Sequence, residues 1–260
     1  MLHILTIHYK DKWVDIQKKQ LKKYIDGEYK VYTRLGENYE KHKNKFDEAI
    51  EGQGHWTESM GLLLKFINKN AKVGDKVLLL DSDAFPIAPI SDFLNKKLKQ
   101  YPFVSCQEPQ HEWDINYKIP HPMFMLFDSK HILEGDLSHY LSNIIKDQSG
   151  NWWGGVIEWM KKNNYDYYPI VRTNKVNLHP LYFGIYENLI YHHWAGSRKM
   201  ITRADRLRHK REGGDGYTGP GIEKIADENH KISSDIFEQI IHQPETIMNY
   251  LMGEYNGEVE

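Results

Sequence analysis

The sequence predicts an α/β protein, a Rossmann-like sheet with helices packed on it, and three observations predict it. The first is the run Val77-Leu78-Leu79-Leu80, uninterrupted and apolar after the turn-like Gly74-Asp75-Lys76. Such a run reads as a central strand buried on both faces. The second is the order strand, helix, strand within the first 33 residues, the opening of a βαβ unit. The third is the pair Asp81 and Asp83 where the buried run ends. That edge of an open α/β sheet is where ligands bind, because the loops leaving it splay into a crevice.

Each element follows from local pattern. Leu2 to Ile7 reads as the first strand, and His8-Tyr9-Lys10-Asp11 leaves it. Trp13, Ile16, Leu21, Tyr24 and Ile25 among lysines predict an amphipathic helix over 13–25, and Tyr29 to Thr33 a second strand. Residues 36–55 are polar, end in Gly52-Gln53-Gly54-His55 and read as a flexible connection. From Trp56 the positions Met60, Leu63, Leu64 and Ile67 share a helical face, and the acid-bearing strand follows. Beyond Pro86 and Pro89 come a short helix at 91–99 and strands at Phe103–Cys106 and His121–Phe127. Next are a helix from Trp152 to Asn163 and single strands at Tyr167–Arg172 and Glu187–His193. The stretch 212–221 has the breaker content of a mobile loop, and Ile236, Phe237, Ile240 and Ile241 share one face of a helical tail with Pro244 opening a last helix.

Composition narrows the class of function. A net charge of −2 and a pI of about 6.7 give no reason to expect nucleic acid or an acidic membrane surface as partner. The single cysteine, Cys106, excludes an internal disulfide. Met1 to His8 lacks a signal-peptide pattern and no run approaches the roughly 20 apolar residues of a membrane span, so the expected location is cytoplasmic. An aromatic content of 13% exceeds what a core needs and points to stacking of flat ligands.

Asp81 and Asp83, spaced i, i+2 on an extended segment, face the same side and can share one hard cation, Mn²⁺ or Mg²⁺. A second cluster closes the β-rich run Ile190-Tyr191-His192-His193: Gly196 allows close backbone approach to a ligand, and Arg198 and Lys199 carry the charge that phosphates require. With both clusters the chain resembles the glycosyltransferases of the GT-A fold, a Rossmann-like mixed sheet flanked by helices that takes a nucleotide-sugar donor. His193-Trp194-Ala195-Gly196-Ser197-Arg198-Lys199 is similar to the His-x-x-Gly-x-x-Lys segment of family 8 transferases, with Met200-Ile201 where that family has Pro-Trp.

The resemblance covers residues 1–205, taken as the catalytic domain, with 206–260 as a C-terminal extension. It implies a metal held by Asp81, Asp83 and His193 and a nucleotide contacted by Thr6, His8, Tyr9, Ser82, Gly196, Arg198 and Lys199. It also implies a UDP-sugar as donor and a glycan or other hydroxyl as acceptor. For the carboxylate facing the anomeric carbon the candidates are Asp147, then Glu112 and Asp114. A haloacid-dehalogenase-type phosphatase shares an Asp-x-Asp after an apolar strand, but places it near the N-terminus and follows it with Thr or Val, not Ala84-Phe85. A non-catalytic nucleotide-sugar-binding module is the remaining alternative.

Overall fold

In the computed structural model, which describes residues 1–107, 120–143, 154–173, 184–193 and 222–252, the strand β1 (Leu2–His8) has parallel neighbours on both sides. These are β2 (Tyr29–Leu35) and β4 (Lys76–Asp81). The chain divides into two compact units, Met1–Glu108 with Ile119–Ile170 and Pro109–Lys118 with Val171–Glu260. That division groups residues from 171 onward with the C-terminal helices, where the sequence reading sets its boundary at 205.

The first unit is built on a seven-stranded sheet. Beside β2 lies the edge strand β3 (Glu48–Glu51), and beyond β4 come β7 (Pro120–Asp128), β6 (Phe103–Gln107) and β8 (Tyr168–Ile170), giving the order β3-β2-β1-β4-β7-β6-β8. Only β7 opposes its neighbours, pairing antiparallel with both β4 and β6. The chain moves outward from β1 to β2 through α1 (Val14–Tyr24), then returns through α3 (Trp56–Asn70) to β4 on the other side of β1. The direction of winding therefore reverses between β1 and β4. A crevice opens at such a switch point, outside the carboxyl ends of the two strands.

Alternation along β1 and β4 sends successive side chains to opposite layers. Leu5, Ile7, Val77 and Leu79 join a core with Met60, Leu63, Leu64 and Ile67 of α3. Ile4, Thr6, His8, Leu78 and Leu80 face the other layer, and all of them are buried, as the apolar run requires of a central strand. An aromatic cluster joins this packing: Phe103 stacks on Phe127 and Tyr167 at 5.0 and 5.1 Å, with Trp159 of α7 (Gly154–Asn163) tilted against Phe103 and edge-on to Phe127.

The connection 36–55 is structured, against the expectation of a flexible one. It holds the helical turn α2 (Tyr39–His42) and β3, whose Glu48-Ala49-Ile50-Glu51 pairs with β2 alone. An edge strand needs no apolar face, so its sequence gave no periodic signal.

In the second unit β9 (Gly184–Tyr186) and β10 (Ile190–His192) form an antiparallel hairpin in place of the single strand expected over 187–193. Glu187 and Asn188 turn the chain with φ of 46° and 54°, closed by a bond from Leu189 N to Tyr186 O at 2.9 Å. Two consecutive left-handed residues make the tight hairpin turn that matches strand twist, usually signalled by glycine. The long helix α8 (Ile222–His242) buries Ser233, Ile236 and Ile240, while Ile241 is 40% exposed and leaves the apolar face assigned to it. Pro244 opens α9 (Pro244–Leu251) as expected. The stretch 212–221 lies outside the described residues.

Two buried histidines give testable consequences. His8 is 1% exposed, and burial, opposed by its bond to Gln17 and by the Asp83 charge, lowers its pKa to about 4. The folded chain keeps the ring neutral while the unfolded chain protonates it below about pH 6.5, so stability is full above that value and falls as pH drops toward 4. The difference amounts to about 3 kcal/mol, lost by the wild type and not by His8→Gln when urea unfolding is compared between about pH 7 and about pH 4. In the second unit, His193 Nε2 meets Ser233 Oγ at 2.8 Å with both residues fully buried. Ser233→Ala removes that partner and is expected to cost about 1–3 kcal/mol, read as a lower unfolding midpoint. An unchanged midpoint would show that the bond does not anchor α8.

Candidate functional site

The two acids sit where the switch point places them. Asp81 is the last residue of β4, in register with Ile7 of β1, and a turn through Ser82 and Asp83 leads into β5 (Ala84–Pro86). A carboxylate oxygen of Asp81 and one of Asp83 lie within 4.8 Å of each other, and both residues are partly exposed. The sequence reading brought them together through the pleat of an extended strand. In the structure a turn does so, and a turn must be held by something other than a sheet ladder.

Gln17 holds it. This residue of α1 is 1% exposed, and its Nε2 donates to the carbonyls of Asp81 at 2.7 Å, Ala84 at 2.9 Å and Ser82 at 3.2 Å. Carbonyl oxygens only accept, so the amide nitrogen must face the turn and Oε1 must face the other way. There Oε1 accepts from Thr6 Oγ1 at 3.3 Å and meets His8 Nε2 at 3.1 Å. The neutral His8 ring therefore carries its proton on Nε2. Gln17 went unnoticed in the sequence, although a glutamine at the 3.6-residue spacing of Trp13, Leu21 and Tyr24 was the available signal.

A second buried polar side chain shapes the loop between β3 and α3 in the same unit. Arg34, 6% exposed at the end of β2, donates from Nε to Gly52 O at 3.2 Å and from Nη2 to Gln53 O at 2.8 Å. Its Nη1 reaches Glu58 Oε1 at 3.0 Å and Ser59 Oγ at 3.1 Å on α3. Gly52 has a φ of +115°, and a Cβ on Gly54 would lie 2.4 Å from Arg34 Nη1, so both glycines are dictated by this packing. The Tyr9 hydroxyl donates to Gly54 O at 2.8 Å. Burial raises the pKa of that phenol, which keeps it a donor at neutral pH.

The residues singled out in the sequence fall into three groups. Thr6 and His8 are 1% exposed and bonded to Gln17, while Tyr9, half-buried just after β1, bonds Gly54 on the loop between β3 and α3, and Ser82 sits in the acidic turn. In the second unit His193, expected as the metal ligand, is fully buried with Nδ1 2.8 Å from the Tyr191 hydroxyl and Nε2 2.8 Å from Ser233 Oγ. Its neighbour His192, like Asp81 and Asp83, offers one ligand atom of a type that suits a divalent cation. Glu112, Asp114, Asp147, Gly196, Arg198 and Lys199 lie outside the described residues.

No described helix is long and apolar enough to cross a membrane. No protein-family model matches the sequence, and no curated protein matches it. Among solved structures the chain is similar to the apo-form glycosyltransferase GlyE of Streptococcus pneumoniae TIGR4. The TM-score is 0.42 and the identity 12%, over 64% of this chain and 44% of that one. The match spans less than half the length of that structure and carries no residue-level correspondence. The mostly parallel seven-stranded sheet between helices, with β7 reversed, fits a GT-A type fold.

Proposed function

We propose that the chain is a metal-dependent glycosyltransferase that moves a sugar from a nucleotide-sugar donor, a UDP-sugar, to a hydroxyl of a glycan or other acceptor. The observation that carries this reading is the pair Asp81 and Asp83, held within 4.8 Å at the C-terminal end of β4 where the winding of the sheet reverses. Two carboxylates this close repel, and a cation shared between them offsets the repulsion. Two carboxylates and an imidazole match the hard to borderline donor set of Mn²⁺ or Mg²⁺ and leave positions for phosphate oxygens. A sugar-nucleotide bond breaks with charge building on the departing diphosphate, so the ion supplies electrostatic stabilisation that is greatest in the transition state.

The residues divide the work. Asp81 and Asp83 hold the charge, and of the histidine pair His192 is the proposed ligand, since both ring nitrogens of His193 have partners inside the second unit. Tyr9 is the accessible one of the three residues assigned to the base, with Thr6 and His8 buried beneath it. Gly196, Arg198 and Lys199 are the proposed diphosphate contacts. Asp147, with Glu112 and Asp114 behind it, is the proposed carboxylate facing the anomeric carbon.

A panel of UDP-, GDP- and dTDP-sugars offered with Mn²⁺ or Mg²⁺ is expected to show slow release of nucleotide from the UDP donors, silenced by chelation and restored better by those ions than by Ca²⁺. Asp83→Asn should lower that turnover about a hundredfold or more, the scale of losing one charge-stabilising group, at an unchanged melting temperature. Turnover that survives exhaustive chelation would reject the metal, and release from no donor would reject the transferase. Calorimetric titration of Mn²⁺ separates the two histidines. His192→Ala is expected to weaken binding more than tenfold, at least what loss of a supporting partner costs, while His193→Ala lowers the unfolding midpoint instead. The reverse pattern would return the ligand role to His193.

A further inference from the structure

We propose that Gln17 is the positioning residue of the acidic turn, setting the distance between the Asp81 and Asp83 carboxylates without touching substrate or metal. Its bearing on activity rests on the transferase reading, but its effect on the turn does not. Beyond Asp81 the chain leaves the ladder with β1 and turns through Ser82 and Asp83 into β5. Three carbonyls of this bend, from Asp81, Ser82 and Ala84, converge on one amide nitrogen that has two hydrogens. The two shorter bonds, 2.7 Å to Asp81 and 2.9 Å to Ala84, bracket Asp83 and fix the backbone on either side of it.

The acceptor end of the same carboxamide is fastened as well. Thr6 and His8 of β1 donate to Oε1, so the group cannot flip without setting Oε1 against three carbonyls and the amide against two donors. Gln17, Thr6, His8 and Ala84 are all buried, where an unmade bond costs most. Gln17 thereby couples the end of β1 to the end of β4 across the switch point, and the separation of the two acids follows from its length. Gln20, also buried one turn further along α1, bonds none of these groups among the described residues and serves as the control.

The test compares the full-length wild type with Gln17→Met, which keeps the volume and loses the bonds, and with Gln20→Met. Amide hydrogen exchange over 82–86 is expected to speed up about tenfold or more in Gln17→Met and to stay at the wild-type rate in Gln20→Met. Calorimetry should show Mn²⁺ affinity reduced about tenfold by Gln17→Met alone, the usual consequence of removing a residue that supports a ligand. Unchanged exchange and affinity in a folded Gln17→Met would overturn the proposal. If the wild type binds no Mn²⁺, the metal reading fails by itself and exchange over 82–86 still decides the role of Gln17. Should Gln17→Met not fold, the wild-type side-chain amide of Gln17 gives the answer by ¹⁵N NMR. Slow solvent exchange of its two protons supports the lock, and exchange at the rate of an exposed glutamine overturns it.

Discussion

The buried carboxamide of Gln17 is the interaction on which the candidate site depends. A sheet supplies ordered backbone only as far as its ladder runs, and here the ladder stops at Asp81, just short of the turn that carries Asp83. Bringing two carboxylates within 4.8 Å opposes their charge and loses chain entropy. Some fixed group must hold that arrangement before any cation arrives. A glutamine suits the place because it offers donors and acceptors back to back, is uncharged, and so does not compete with the acids for an ion.

Arg34 solves the matching problem on the facing loop, where the chain between β3 and α3 carries no ladder either. One guanidinium gathers the carbonyls of Gly52 and Gln53 and anchors them to Glu58 and Ser59 at the start of α3. Its planar fork of donors reaches several acceptors from one buried centre, which a lysine could not do. The glycines at 52 and 54 are the other half of this packing, one by its dihedral and one by its missing Cβ. The acidic turn and the β3–α3 loop of the first unit thus each rest on one buried polar side chain, Gln17 and Arg34.

The second unit applies the same logic to different ends. His193 bridges Tyr191 of β10 and Ser233 of α8 through its two ring nitrogens, so a residue of metal-ligand type has a structural place beside Phe237. Adjacent histidines in one strand end look alike in sequence, and their surroundings set them apart. A histidine with both nitrogens bonded to buried hydroxyls ties a strand to a helix.

What the sequence by itself determined is the order of β1, α1, β2, α3 and β4 and the position of the acids at a strand end. Those features are written in local pattern: four apolar residues for a strand buried on both faces, and Met60, Leu63, Leu64 and Ile67 for a helix lying on it. The polar edge strand β3 and the hairpin at Glu187-Asn188 escaped, because an edge needs no apolar face and the turn takes its left-handed φ without glycine. Only the tertiary structure decided how the acids meet, which atoms hold their turn and which partners His193 bonds. Gln17 and the carbonyl it grips on Asp81 stand 64 residues apart, and Ser233 and His193 stand 40 apart. A hydrogen bond closed over such a distance leaves no periodicity or spacing along the chain, since it is selected by the packing of whole elements and not by neighbouring residues.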